Sequence, residues 1–218
     1  TTQEKNGITE GVIWKQLLIF FFPIMVGSFF QQLYNTVDYV IVGQFVGKEA
    51  LSSVGGSAGQ IISLVVGFFT GVSTGATVII SQYFGAGKKE EIEESLHTAY
   101  AFALVGGLVL GIAGIVFAPQ MLRWMNTPEE LIAESVLYVR VYFSGLIFIF
   151  IYNMGAAILR AVGDSKRPLY YLIVCSVVNI ILDLLLILVI PLGVLGAAIA
   201  TLIAQAVSAV LVTVTLMY

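Results

Sequence analysis

Apolar residues run along this chain in six long, unbroken stretches separated by short polar or glycine-bearing segments. A helix needs about 20 apolar residues to cross the hydrocarbon of a bilayer. The runs predict spans over about 12–42, 51–83, 95–118, 130–159, 168–190 and 194–218. Helix is preferred to strand because a barrel strand alternates apolar and polar positions over about ten residues. The expected fold is all-α: an integral membrane bundle of six transmembrane helices over 12–218, after a cytoplasmic N-terminal segment 1–11. The breaks fall at 43–48, 85–91, 126–129, 163–168 and 191–193. At the third break, Thr127 followed three residues later by Glu130 reads as a capping box, and Pro128 suits a first helical turn. The charged stretch 88–94 reads as a short interfacial helix leading into the third span.

Composition supports the membrane assignment. Hydrophobic residues make up 59% and charged residues 11% of the chain, against about 25% charged in a soluble domain. Mean hydropathy is +0.99. The net charge of -3 implies neither an acidic nor a basic partner, and no basic stripe with interleaved aromatics points to nucleic acid. The single cysteine, Cys175, has no intrachain disulfide partner. The first apolar run is too long for a signal-peptide core, and no small-residue cleavage site bounds it. Lys5, Lys15, Lys88, Lys89, Arg160, Lys166 and Arg167 fall on the N-terminal side of the predicted topology. Lys48 and Arg123 fall opposite, with Arg140 within or near the end of the fourth helix. That bias places the N-terminus, and after six spans the C-terminus, in the cytoplasm of a cell-membrane protein. The chain stops at Tyr218 inside an apolar run, which suggests a fragment or a single lobe.

Candidate chemistry lies in the polar residues inside the spans. Asp38 and Asp183 sit within apolar runs, where an acid at a helix centre costs about 2.5–3.5 kcal/mol on insertion scales. Gln31, Asn35 and Asp38 are spaced four and three apart and share a helix face. Asn179 and Asp183 do the same in the fifth span, and Thr201 and Gln205 in the sixth. Asn153 adds an amide in the fourth. These faces should point inward, because lipid offers no hydrogen-bond partner. No lysine or arginine lies at comparable depth; Arg140 is nearer the outer end of its helix. An unpaired buried carboxylate takes a proton or binds a cation, and carboxylate, amide and hydroxyl oxygens are hard ligands suited to Na⁺. Both H⁺ and Na⁺ stay open. A lone membrane Asn or Thr is more often packing glue than ligand.

Pro23 removes a backbone bond within the first helix and invites a bend, as hinge or as static kink. Gly67, Gly71 and Gly75, and Gly107 and Gly111, recur at four-residue spacing, which permits close helix packing. Tyr34, Tyr138 and Phe150 are candidates to line a cavity, with core or lipid contact as the alternative. His97 is expected to be solvated. No nucleophile–base pair, metal cluster or phosphate loop is present; GAGKK at 85–89 lacks the spacing of a nucleotide-binding loop. No enzyme activity and no cofactor are expected.

Four segments resemble one family in the right order. QLYNTVDYVIVG at 32–43, with Pro23 upstream, resembles the first helix of the multidrug and toxic compound extrusion (MATE) transporters. LRAVGDSKRP at 159–168 is similar to their loop between helices four and five, NIILD at 179–183 to their fifth helix and GVLGAAIAT at 193–201 to their sixth. The resemblance implies twelve helices in two six-helix lobes, related by a pseudo-two-fold axis along the membrane normal. It implies alternating-access export of cationic amphiphilic drugs, coupled to Na⁺ or H⁺. It places Asp38, Asn179, Asp183 and Thr201 in an N-lobe cation site, with Asn153 nearby, and makes Pro23 the point where protonation of Asp38 bends the first helix. A family member is roughly twice as long, so the chain is expected to be the N-terminal lobe. Its expected partners are the bilayer, a second six-helix lobe (the missing half or another copy) and a small cationic or amphiphilic substrate. The alternatives are a lipid or lipid-linked precursor flippase of the same superfamily, and a non-transporting membrane scaffold.

Overall fold

The computed structural model describes residues 12–217. The expected segment 1–11, Lys5 within it, and Tyr218 lie outside the described residues. The chain folds as α1 (Ile13–Ile41), α2 (Lys48–Gly55), α3 (Ser57–Gly85), α4 (Lys89–Trp124), α5 (Glu129–Ser144), α6 (Leu146–Ala161), α7 (Lys166–Asp183) and α8 (Val194–Met217). Two short π-helical segments extend α1 and α7, over Val42–Val46 and Leu184–Val189. Five helices or helix runs are long and apolar enough to span a membrane, and α5 with α6 makes a sixth if the bent pair is taken as one span.

Four features differ from expectation. The expected second span over 51–83 divides at Gly56 into α2 and α3. The fourth span is broken by a 49° bend between α5 and α6. Gly145 stands at the bend, and a Cβ there would lie 2.9 Å from Leu202 Cγ. The close approach of α8 is what glycine permits. The stretch 88–94 is not a separate interfacial helix, because α4 runs unbroken from Lys89. Its early charged turns include an exposed Lys88–Glu91 pair at 3.2 Å. The capping box is also absent. Pro128 takes the cap position without a side-chain bond, and the Thr127 hydroxyl is buried without a partner. Proline fixes the backbone where a threonine cap was expected to bond it.

Helix α6 is the centre of the bundle and packs against α3, α4 and α8. Phe150 is fully buried and stacks on Phe69 of α3, with ring centroids 3.6 Å apart. On α4 the glycine spacing does bring helices together. A Cβ on Gly107 would lie 2.7 Å from Ile147 Cα, and one on Gly111 2.9 Å from the Phe143 carbonyl oxygen. The similar spacing on α3 does not: a Cβ on Gly67, Gly71 or Gly75 would meet nothing within 4 Å. Helix α1 lies at the edge, packed chiefly on α7, with Trp14, Leu17, Phe21, Phe22 and Phe29 exposed as lipid-compatible surface. The spans alternate in direction, so Lys15, Lys88, Lys89, Arg160, Lys166 and Arg167 gather at one end of the bundle and Lys48 and Arg123 at the other.

Candidate functional site

The two acids predicted from sequence meet in space. Asp38 sits in the last turn of α1, and Asp183 is the last residue of α7. Beyond each, the backbone loosens from α-helical winding. Gly47 N–H donates to the Val42 carbonyl at 3.1 Å, and Ile190 N–H to the Leu185 carbonyl at 3.0 Å, both five residues back. Such wide turns concentrate at functional sites. The two segments touch each other, so both acids are carried to one level of the bundle. The two carboxyl groups are near enough to act on each other electrostatically, with no hydrogen bond between them.

Helix periodicity adds the remaining polar groups. Asn179 stands one turn before Asp183 on the same face, and its Nδ2 donates to Thr201 Oγ1 of α8 at 3.4 Å. Asn179 and Asp183 are almost wholly buried, at 1% and 0% exposure. Five buried side-chain oxygens here lack any hydrogen-bond donor: Asp38 Oδ1, both Asp183 carboxylate oxygens, Asn179 Oδ1 and Gln205 Oε1. Buried oxygens without donors are rare in native structures and call for a physical account. Neither acid has a basic partner; among the described residues the ion pairs are Lys88–Glu91 and Arg167–Asp164. Two like charges brought together in a poorly solvated interior repel each other. A proton or a cation relieves that repulsion and gives the orphaned oxygens a partner.

The cluster opens into a cavity of about 410 Å³ lined by Gln31, Asn35, Asp38, Tyr34, Tyr138 and Thr201, among others. Asp38 faces this space, whereas Asp183 is sealed behind it. Gln205 is buried and does not line the cavity. Of the three aromatic candidates, Tyr34 and Tyr138 reach the cavity and Phe150 belongs to the core. Sequence reasoning missed Tyr142, which also lines it. It follows Tyr138 by one turn of α5, their ring centroids 6.2 Å apart, a spacing that was available as a signal.

Pro23 and Asn153 lie elsewhere. They line a second cavity of about 240 Å³ between α1, α6 and α7, which shares Gln31, Val66 and Thr70 with the first. Asn153 Nδ2 donates to the Ile149 carbonyl at 2.8 Å in its own helix. The structure therefore joins Asp38, Asn179, Asp183 and Thr201 and sets Asn153 one cavity away.

The sequence profile of the MatE family matches residues 23–185, which include most of this site. The chain belongs to the MatE family. It is 34% identical over 206 residues to the probable multidrug resistance protein YoeA of Bacillus subtilis, covering 93% of this chain and 44% of that protein. It is likewise 34% identical over 203 residues to the probable multidrug resistance protein YpnP of the same organism, covering 92% and 45%. Its fold superposes on the outward-facing conformation of a multidrug resistance MATE family transporter with a TM-score of 0.92 and 27% identity, covering 99% of this chain and 48% of that one. The MatE chain described here thus spans about half the length of the curated relatives it matches.

Proposed function

We propose that this chain is the ion-binding lobe of a secondary antiporter that exports small cationic or amphiphilic compounds. The observation that carries the reading is the facing pair Asp38 and Asp183, with orphaned oxygens and no basic partner. Asp38, Asn179, Asp183 and Thr201 hold the coupling cation, Na⁺ or H⁺; Asn153, Gln31, Asn35 and Gln205 extend the polar surroundings. Neutralising the acid pair changes the charge inside the bundle and biases it between two conformations. The cavity beside Asp38 belongs to the substrate path, which a second six-helix lobe completes. The N-terminus lies in the cytoplasm of the cell membrane, by the clustering of lysine and arginine at that end. The multidrug resistance names of the relatives support export as the activity.

The test is thermal stability of the purified chain in detergent, titrated with Na⁺ against choline at several pH values. A saturable Na⁺ shift lost in both Asp38→Asn and Asp183→Asn identifies a sodium site by mass action. A pH-dependent shift without Na⁺ dependence, removed by the same substitutions, identifies proton coupling. Wild type and both variants behaving alike towards each ion would sink the proposal.

A further inference from the structure

The smaller cavity contains a charge that the ion site does not use. Arg160 lies in the last turn of α6, is half-buried, and lines that cavity together with Asn153, Ser165 and Pro23. Among the described residues its guanidinium has neither a carboxylate nor a hydrogen-bond acceptor. Asp164, four residues on, is taken: Arg167 Nε pairs with it at 3.2 Å, and the Lys166 and Arg167 amides donate to it at 3.1 Å. Tyr152 lines the same cavity, and its hydroxyl donates to the Pro168 carbonyl at 3.2 Å. A guanidinium presents five N–H donors in a planar fork that fits a phosphate or carboxylate. Leaving such a group half-buried and unpaired is unfavourable. The cavity is therefore built for an anion, the opposite of the acid cluster next to it.

The other side of Pro23 shows what carries that anion. A groove of about 680 Å³ runs along α1, lined by Leu18, Ile19, Phe21, Phe22 and Met25, with Lys166 as its one charged residue. Pro23 lines both the groove and the Arg160 cavity. A hydrocarbon-lined groove beside two cations matches a molecule with an apolar chain and an anionic head. Both cations lie at the end of the bundle rich in lysine and arginine, where basic pockets between helices take anionic lipid headgroups.

We propose that this corner of the bundle binds an anionic phospholipid, its acyl chain in the α1 groove and its phosphate on Arg160, with Lys166 at the groove mouth. The site stands on residues separate from the acid pair, so it is independent of the ion-coupling proposal. A bound lipid would brace α1 on both sides of Pro23.

Native mass spectrometry of the full chain, titrated with phosphatidylglycerol or phosphatidylcholine, tests this. The expected result is a phosphatidylglycerol adduct that survives detergent washing, with the phosphatidylcholine adduct lost. Arg160→Gln should weaken the anionic adduct about tenfold and Lys166→Gln about fivefold, the scale of a juxtamembrane cation; Arg123→Gln, at the opposite end, should leave it unchanged. Should Arg160→Gln fail to fold, the exposed Lys166→Gln and the cavity-lining Ser165→Ala carry the test. Equal retention of both lipids, or adducts indifferent to Lys166→Gln and Ser165→Ala, overturns the proposal. Displacement of the lipid by equimolar inorganic phosphate reassigns the cavity to a free anion. A dimer mass without lipid gives the groove to a second copy of the chain, and either of these outcomes also overturns it.

Discussion

At Thr201 a single hydroxyl joins two helices, accepting from Asn179 on α7 while facing the cavity beside Asp38. Thr201→Val keeps the shape and removes the oxygen. It should weaken ion-dependent stabilisation about tenfold, the scale of a hydrogen bond to a charged group, whereas Thr201→Ser should retain it. Equal ion titrations for the two variants would remove Thr201 from the site. Glycine supplies a second contrast of the same kind. Gly107→Ala drives a methyl to 2.7 Å from the Ile147 backbone and should destabilise by about 1–3 kcal/mol. Gly71→Ala enters open space and should stay within about 0.5 kcal/mol, both read from unfolding in detergent. Spacing alone predicted the same role for both glycines. What separates them is the neighbour across the gap, which sequence does not encode locally. Asp38, Asp183 and Asn179 were legible because an acid or amide without a basic partner stands out in an apolar run. The orphaned oxygens and the Asn179–Thr201 bond were not, since they arise only when α1, α7 and α8 converge.

Along the elements, the long apolar runs made the spans plain, while the departures from regular winding stayed hidden. Leu184–Val189 is ordinary apolar sequence and Val42–Val46 runs into a glycine-bearing break, yet both follow directly on the acid-bearing turns and wind with bonds five residues long. The bend at Gly145 likewise depends on Leu202 of a distant helix. Wide turns hold their amides less tightly than an α-helix of equal burial. Hydrogen exchange should therefore be faster across 42–47 and 184–192 than across the middle of α4, and should slow when the coupling ion binds. Uniform protection in all three regions, with or without ion, would show that these segments are rigid and do not respond to the site.

For the whole molecule, Asp38, Asn179, Asp183 and Thr201 all lie within the described residues, and the proposed substrate path needs a second lobe. The chain covers less than half of the relatives it matches. Expressed alone in a drug-sensitive host, it should insert and bind its ion without raising drug tolerance. Co-expression with the second half of a relative should restore tolerance. Ion-dependent efflux by the purified monomer would show that one lobe suffices. The orientation expected from lysine and arginine placement can be checked by labelling single cysteines placed near Lys48 and near Lys166 from either side of the membrane.

Pro23 has a mechanical meaning that its position in two cavities conceals. Asp38 lies fifteen residues further along α1, about 22 Å away at the rise of an α-helix. Over such a lever arm, a swing of about 10° at the proline carries the carboxylate by roughly 4 Å, more than the length of any hydrogen bond. Any flexing of α1 at Pro23 would thereby be geared up into a displacement of Asp38 relative to Asp183.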